Sequence, residues 1–406
     1  MNANLLTVDD ALARLLQGVI PVREQESVAT LDALGRVLAV SQRSTIDVPP
    51  MDNSAMDGYA VRVVDCAGGA KLRISQRIAA GDRPQPLAAG TAARIFTGAP
   101  IPPGADAIVM QEFCSVEGDT VLVNAPPRLG HWVRKRGEDV PAGGVILSAG
   151  RKLQPQDIGL ASSVGLASLP VFRRLKVGVF FTGSELVMPG EPLPEGAIYN
   201  SNRFTLNSLL QRMGCEVMDL GIVPDTLEAT RAAFRKAAAA SDLVITSGGM
   251  SVGEEDHVKP AVEAEGRLDM WRIAMKPGKP LAFGFLRKDS GGGEAAFIGL
   301  PGNPVSTFIC FLIFVRPYIL RAQGVEEIAA KVFSLEADFD WVQPDARREF
   351  LRVRVNVHGK LELFPNQSSA VLTSCVWGDG LIDNPPKQPI AKGQHVPYLP
   401  FNALFD

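Results

Sequence analysis

Four loops in the middle of the chain carry residues that suit the binding of an anion. Each follows an apolar run that reads as a strand, and the loops cover residues 182–185, 223–225, 247–253 and 301–306. Ligands of open parallel α/β sheets bind beyond the carboxyl ends of the strands. The sequence therefore predicts one ligand site to which all four loops contribute.

Two of these loops, SGGMSVG and PGNPVS, have the composition of phosphate-binding turns. Each lies between a strand and a helix, so bare backbone amides and the helix dipole would face an anion. Glycines that serve only a tight turn would give the same pattern. The candidate substrate-binding residues are Ser247, Gly248, Gly249, Ser251, Gly253, Pro301, Gly302, Asn303, Pro304 and Ser306.

Three acids, Glu185, Asp225 and Asp256, belong to the ends of three of these segments. Carboxylates converging on a phosphate would repel it unless a hard cation lay between them, so the pattern predicts Mg²⁺. The alternative is that Asp225 caps the helix near Thr226 and that Glu185 faces water.

Lys276 and Lys279 flank a Pro-Gly turn in KPGK. Because the turn is rigid, both ammonium groups are expected to point at one tetrahedral oxyanion. Lysines in turns are more often solvated, and the motif alone does not decide between the two interpretations.

Further polar residues lie earlier, in PPMDNSAMDGYA (49–60), FTGAP (96–100) and RGED (136–139). They offer carboxylates, a hydroxyl and a guanidinium at predicted strand ends. Their spacing alone names no reaction.

The elements that position these loops divide the chain into four parts. Strands and amphipathic helices alternate from Leu175 onward, which predicts an α/β domain with a parallel sheet covered on both faces. Helical spacing in residues 5–41 predicts two helices, the second in ESVATLDALGRVLA, and 149–173 returns to helical and short-strand character. Short apolar runs broken by Gly and Pro predict an all-β insertion and a C-terminal β-barrel or sandwich. The predicted domains are 1–44 with 145–173 (discontinuous, helical), 45–144 (β insertion), 174–323 (α/β) and 324–406 (β-barrel).

Composition excludes several classes of function. The 406 residues carry a net charge of −3, which argues against a nucleic-acid-binding protein. The most apolar run, 305–315, is short and contains Ser306 and Thr307, so we expect a buried helix and no membrane span. Five dispersed cysteines and no leading basic segment predict a cytoplasmic protein with free thiols. The four histidines lack the spacing of zinc ligands.

At this level of detail the sequence resembles the MoeA and gephyrin E-domain family of molybdopterin molybdenumtransferases. The motifs PPMDNSAMDGYAV, FTGAPIPPGADAIVMQE, RKRGEDV, TGSEL, SGGMSVGEED, KPGKP and GLPGNPVS occur in the family's order. The central part also resembles the domain of molybdopterin adenylyltransferases. One departure is Ser184, where the family often has Asp, and it removes an acid from the predicted metal site.

The resemblance implies an elongated homodimer of four-domain subunits, in which the second domain of one subunit covers the central domain of the other. It implies that adenylylated molybdopterin and molybdate are the substrates, that AMP is released and that Mg²⁺ assists. A molybdopterin adenylyltransferase and molybdoenzyme maturation proteins are possible partners. The implied catalytic residues are Asp57, Thr97, Asp139, Glu185, Asp225 and Asp256. Lys276, Lys279 and Ser306 would hold molybdate, and Arg347, Arg352 and Ser369 would contact substrate.

Two other functions stay open at this point. One is a scaffold role, which predicts an exposed apolar groove that binds a peptide, at the dimer face of the fourth domain. The other is adenylyltransferase or nucleotide pyrophosphatase activity of the central domain alone.

Overall fold

The computed structural model describes residues 5–249, 257–288 and 292–405. Its centre is a six-stranded sheet whose strands, in spatial order, are Glu216–Val223, Lys176–Thr182, Leu243–Ser247, Glu294–Leu300, Pro280–Arg287 and Gly266–Arg272. The first four are parallel, so the loops that follow them lie at one edge of the sheet. This confirms the predicted meeting of the loops.

The sheet is mixed: its first four strands are parallel, as predicted, and the last two are added by antiparallel pairing. Pro280–Arg287 runs antiparallel to both of its neighbours. Parallel neighbours need a crossover of a dozen or more residues, whereas antiparallel ones need only a short connection. The segments between 272 and 280 and between 287 and 294 are too short for a crossover.

Helices cover both faces of this sheet. They are Ser201–Arg212, Leu227–Ala240, Val258–Glu265 and the continuous run Pro304–Cys310, Phe311–Val315 (a π-helical turn) and Arg316–Ala322. Neighbouring residues of one strand show the two-sided burial, because Phe181 packs in one apolar cluster and Phe180 in the other. A small parallel pair, Leu186–Val187 with Ile198–Tyr199, lies outside the main sheet.

The helix Pro304–Ala322 is long and apolar enough to cross a membrane by length and composition alone. Within its most apolar window 89% of the residues are buried inside the protein. It is therefore packed as the central core helix, as the sequence predicts for residues 305–315.

The N-terminal part contains fewer helices than predicted. Helix Val8–Gln17 is capped by Thr7, which accepts a hydrogen bond from the Asp10 amide, and it packs into the core of the central domain. The predicted second helix is wrong: the strand Gln25–Ala29 and the 3-10 turn Thr30–Asp32 occupy that segment. The strand pairs with Ser168–Phe172, which places Val28 opposite Leu169. The rest of this part is helix Pro155–Ser163 and the pair Gln42–Arg43 with Val145–Leu147.

The insertion is an all-β domain, as predicted. In spatial order its strands are Ala107–Met110, Gly58–Val61, Thr91–Ile95, Lys71–Ile78, Thr120–Val123 and Cys114–Glu117. Short 3-10 turns, Val63–Cys66 and Gln111–Phe113, connect some of them, and Asn53–Ser54 pairs with Val133–Arg134. Gly58 is required for close strand approach, because a Cβ there would lie 2.0 Å from the Val109 carbonyl oxygen.

The C-terminal part is a third six-stranded sheet. Its strands are Met275–Lys276, Arg348–Val355, Gly380–Asn384, His395–Pro400 and Phe333–Glu336 in spatial order, with Leu361–Leu363 paired to Arg348–Val355. A bridge joins Ala337 to Leu361. Two short helices, Thr373–Trp377 and Phe401–Phe405, complete it. Classification as a β-barrel and the four domain limits stay predictions.

Candidate functional site

A cavity of about 590 Å³ lies at the carboxyl edge of the central sheet, between the central and C-terminal parts. The KPGK turn crosses this boundary, since Lys276 belongs to a strand that pairs with Arg348 and Glu349 of the C-terminal sheet. The predicted site residues that line the cavity are Glu185, Gly248, Gly249, Lys276, Lys279, Pro301, Gly302, Asn303, Ser306, Arg347 and Ser369. Lining residues that the sequence reasoning missed are Pro277, Gly278, Pro280, Gln367 and Ser368.

The two glycine loops approach each other through their backbones. Gly248 has a φ of +99°, and a Cβ on Gly302 would lie 3.7 Å from the Cα of Gly248. The Gly248 amide donates to the Leu300 carbonyl oxygen. The backbones of the two loops therefore lie close together at one wall of the cavity, where the Gly248 amide itself is already used by Leu300.

Ser247 lies behind this wall and does not line the cavity. It is only 3% exposed, and its hydroxyl donates to the Pro301 carbonyl oxygen at 2.9 Å. Asn202 donates both to Ser247 Oγ and to the Gly302 carbonyl oxygen. In this geometry the Ser247 side chain joins the two loops, and its contact with substrate stays a prediction. Asn202, which the sequence reasoning missed, is part of the same junction.

The two lysines of KPGK have different surroundings. Lys276 Nζ lies 3.4 Å from carboxylate oxygens of both Asp345 and Glu349. Glu349 is 1% exposed and also accepts a hydrogen bond from Trp341 Nε1 at 2.8 Å. Lys279 is exposed and has no ion pair within the part of the chain that the structure describes. The charge of Lys279 is thus the less compensated of the two.

Asp345 connects two of the cations that line the cavity. Arg347 holds it in a two-pronged contact, with Nε and one terminal nitrogen each 2.9 Å from a carboxylate oxygen. These hydrogen bonds from Arg347 keep the pKa of Asp345 well below its ordinary value, and the charge of Lys276 adds to the effect. The carboxylate of Asp345 therefore stays ionised beside the site.

Arg352 is buried and does not line the cavity, so its contact with substrate stays a prediction. It is 1% exposed and donates to Ser374 Oγ and to the Ser368 carbonyl oxygen, each at 3.1 Å. Burial lowers its pKa to about 10. The Ser369 carbonyl oxygen accepts from the Val305 amide. Arg352 thus fixes the loop that carries Ser369. The predicted residue Pro304 is the first residue of the core helix and does not line the cavity.

The predicted metal ligands do not form a site among the described residues. Glu185 is exposed and lines the cavity, whereas Asp225 is half-buried in the next loop and does not. Thr226, not Asp225, caps helix Leu227–Ala240, so the alternative role of Asp225 as a cap is wrong. No group of three or more His, Cys, Asp or Glu that could hold a metal ion occurs in 5–249, 257–288 or 292–405. Asp256, Ser251 and Gly253 lie outside the described residues.

A second group of polar residues occurs at one end of the β insertion. Asp57 Oδ1 accepts hydrogen bonds from the Thr97 amide and the Thr97 hydroxyl, both at 2.8 Å. These bonds, the amide first, lower the pKa of Asp57. The structure therefore brings together two of the predicted catalytic residues, Asp57 and Thr97.

The RGED motif (136–139) is connected to the segment that precedes and begins the motif PPMDNSAMDGYA (49–60). Lys135 forms an ion pair with Asp52 at 2.8 Å, Arg136 pairs with Asp47, and the Asp139 amide donates to the Val48 carbonyl oxygen. The Asp139 side chain is exposed and forms no hydrogen bond within the described residues. The three motifs of the insertion thus come together at one end of its sheet.

Comparison with known families accounts for nearly the whole chain. Residues 6–165 match the model of the MoeA N-terminal region (domain I and II), 178–321 that of the probable molybdopterin binding domain, and 334–401 that of the MoeA C-terminal region (domain IV). A molybdopterin molybdenumtransferase of Haemophilus influenzae is 39% identical over 408 residues, covering 98% of this chain and 100% of that protein. The chain belongs to the MoeA family. Molybdopterin molybdenumtransferase 2 of Mycobacterium tuberculosis is 34% identical over 390 residues, covering 92% of this chain and 93% of that protein.

Solved structures of MoeA proteins share the fold. The molybdopterin biosynthesis moeA protein of Pyrococcus horikoshii OT3 superposes with a TM-score of 0.83 at 28% identity, over 98% of this chain and 100% of that one. A second structure of a moeA protein from the same species gives 0.77 at 31% identity, over 98% and 99%. The MoeA arrangement therefore includes the mixed central sheet, the β insertion and the C-terminal sheet together.

Proposed function

We propose that this protein is a transferase of molybdenum cofactor biosynthesis that inserts molybdate into adenylylated molybdopterin and releases AMP. The observation that carries the proposal is the cavity in which two glycine loops meet lysine and arginine side chains from a second part of the chain. The names of the curated relatives support the same reaction.

Each part of the substrates has a matching wall in this cavity. The backbone amides of the Gly248 and Gly302 loops suit the phosphate end of the pterin. Lys279, Lys276 and Ser306 suit the oxygens of the molybdate dianion, with Arg347 and Ser369 beside them. During insertion the two dithiolene thiols bind molybdenum, and their two protons leave with one molybdate oxygen as water. A water molecule cleaves the phosphoanhydride, which gives AMP and the terminal phosphate of the cofactor.

The carboxylates of Asp57, which is ionised and accepts hydrogen bonds from Thr97, and of Asp139 belong to the insertion. We propose that they reach the cavity of a second copy of the chain. Asp57 and Asp139 do not line the cavity of their own subunit. We therefore propose a homodimer in which the insertion of one subunit covers the central cavity of its partner. A cytoplasmic location, a molybdopterin adenylyltransferase as supplier and molybdoenzyme maturation proteins as recipients belong to the same proposal.

Magnesium is a further part of this proposal. Of its proposed ligands, Glu185 lines the cavity, Asp225 does not, and Asp256 lies outside the described residues. No step of the proposed mechanism depends on it. Activity in the presence of a chelator, with Mg²⁺ or Ca²⁺ added back, tests this requirement.

The two alternative functions have weaker support. An apolar groove of about 450 Å³ lies between the core helix and the C-terminal part, lined in part by Phe308, Leu372, Val376 and Phe405. The groove matches what a scaffold role predicts, but nothing on its surface identifies an occupant. Adenylyltransferase or pyrophosphatase activity of the central domain alone would leave the C-terminal wall of the cavity without a role.

The test of the proposed function supplies purified adenylylated molybdopterin and molybdate to the purified protein. Cofactor formation is followed by reconstitution of a molybdenum-free molybdoenzyme, and AMP by chromatography. We expect both products, and ATP with molybdopterin in the absence of molybdate should give no adenylylation. Adenylylation would support the alternative.

A further inference from the structure

Two arginines and an aromatic ring form a cluster next to Asp57 and Thr97. Tyr59, Arg94 and Arg77 are cross-strand neighbours on three adjacent strands of the insertion. The guanidinium carbons of Arg77 and Arg94 each lie 4.6 Å from the centroid of the Phe96 ring. Arg94 also lies over the Tyr59 ring, at 5.3 Å. The two guanidinium groups are thus no farther apart than twice their distance from the Phe96 centroid.

The positive charge of this cluster is not neutralised by an ion pair. Arg94 donates to the Gly58 carbonyl oxygen at 2.9 Å and to Gln111 Oε1 at 2.7 Å, both of which are uncharged acceptors. The exposed side chain of Arg77 forms no hydrogen bond or ion pair with any residue that the structure describes. Elsewhere in the same domain the basic side chains Lys135 and Arg136 do pair with carboxylates.

Two like charges near one ring repel each other, and an anion bound beside them would relieve the repulsion. Guanidinium groups bind phosphate oxygens in planar, two-pronged geometry, and stacking on an aromatic ring fixes the plane before the ligand arrives. Arg94 is the more fixed of the two, because Gly58, Gln111 and two rings constrain it. The cluster therefore has the chemistry of a phosphate site.

We propose that Arg77, Arg94 and Phe96 bind the phosphate of the adenylate half of the substrate, and of AMP before it is released. The inference rests on the proposed function, which places Asp57 and Thr97 at the phosphoanhydride. Phe96 precedes Thr97 in the chain, and Thr97 donates both its amide and its hydroxyl to Asp57. The charge of Arg94 also acts on the Asp57 carboxylate, which would otherwise repel the phosphate.

The adenylate half fits this cluster better than the pterin half. The pterin phosphate and molybdate already have amides and lysines in the central cavity. Side chains of the covering insertion would contact the end of the phosphoanhydride that lies away from the pterin. That end is the adenylate, which is the leaving group. Cations at that end would stabilise the charge that develops on AMP as the bond breaks.

Titration calorimetry with AMP, on the full-length protein, tests the site directly. Arg77→Gln and Arg94→Gln should each weaken AMP binding by about tenfold or more, as expected for loss of one charge-assisted contact. The matched control is Arg73→Gln, another exposed arginine of the strand Lys71–Ile78. Adenosine should bind much more weakly than AMP, because the phosphate is the recognised group. A comparison of the affinities for inorganic phosphate and AMP shows whether the nucleoside contributes to binding.

Equal AMP affinity in all four proteins, or an equal loss in Arg73→Gln, would overturn the inference. Failure of the wild-type protein to bind AMP at millimolar concentration would do so too. Circular dichroism melting checks the fold, and Arg77→Gln provides the safer variant because that side chain has no hydrogen bond to lose within the described residues.

Kinetics separate this inference from the proposed function. In the cofactor assay both variants should raise KM for adenylylated molybdopterin about tenfold and leave KM for molybdate unchanged. If the wild-type protein makes cofactor and neither variant changes either constant, the adenylate site is wrong and the function stands. If the wild-type protein makes no cofactor, the function is wrong, whatever AMP binding shows.

Discussion

Replacing Lys279 by Gln tests the assignment of the molybdate site most sharply, because the two cavity lysines differ in their partners. Lys279 is exposed and has no ion pair in the described part of the chain, whereas Lys276 lies 3.4 Å from both Asp345 and Glu349. A charge-assisted hydrogen bond contributes about 1.5–3 kcal/mol, so Lys279→Gln should raise the Kd for molybdate about tenfold to a hundredfold. The free energy of unfolding should change by less than about 0.5 kcal/mol, as for other surface substitutions.

Lys276→Gln should behave differently. It removes a cation from Glu349, which is 1% exposed, so a buried carboxylate loses one partner and keeps the indole of Trp341. We expect a loss of about 1–3 kcal/mol in the free energy of unfolding, together with weaker molybdate binding. Only Lys279→Gln should therefore weaken binding without destabilising the fold.

The assay titrates molybdate and adenylylated molybdopterin separately against each variant by calorimetry, and urea unfolding gives the stabilities. Lys236→Gln is the control, an exposed lysine on helix Leu227–Ala240 with no ion pair among the described residues. An equal loss of affinity for both ligands in Lys279→Gln would refute the reasoning, because the lysine would then serve the pterin phosphate or the fold. Unchanged molybdate affinity would also refute it.

Three further predictions follow from the same geometry. Asp57→Asn should keep the fold and lower cofactor synthesis at least tenfold, because the carboxylate that Thr97 holds is lost. Normal activity at normal stability would mean that the insertion covers the cavity and contributes no catalytic group. Since Arg347 holds the folded-state pKa of Asp345 below its ordinary value of 3.8, the resulting stabilisation is complete above that pH and lost as the pH falls below it. Urea unfolding at pH 6 and pH 3 should show a smaller acid-induced loss for Asp345→Asn than for the wild-type protein, and an equal loss would contradict this. Light scattering at micromolar concentration should give the mass of a dimer, and a monomer that is fully active would remove the shared site.

The central domain was the most predictable part of the fold. Near-continuous apolar strands alternating with amphipathic helices specify an α/β sheet, and the loops after parallel strands must then meet at one edge. The direction of Pro280–Arg287 depends on connection length, which the apolar pattern does not encode. The segment 26–39 shows helical spacing, but pairing with Ser168–Phe172, distant in sequence, decides its conformation.

The loops that line the cavity were predictable from the sequence, whereas the buried residues that hold these loops in place were less so. Glycine loops and paired lysines have local signatures, so Gly248, Gly302 and Lys279 were identified from sequence. Burial has no such signature, so the sequence does not show that the side chains of Ser247 and Arg352 are buried.

The partners of the cations were missed for a related reason. Asp345 and Glu349 lie about seventy residues from Lys276 along the chain and reach it only because Met275–Lys276 joins the C-terminal sheet. Strand pairing between separate parts of the chain cannot be read from local composition. Arg77 and Arg94 have no ion-pair partner among the described residues. Their proximity likewise depends on the register of their strands, which local composition does not specify.

The central claim is that one polypeptide couples molybdate insertion to release of AMP. The most direct measurement follows both products in one reaction, with purified protein, adenylylated molybdopterin and molybdate, and with molybdate omitted as the control. The account predicts that active cofactor and AMP appear in equal amounts and that omission of molybdate suppresses both. Cofactor formation without AMP release, or AMP release at the same rate without molybdate, would contradict it.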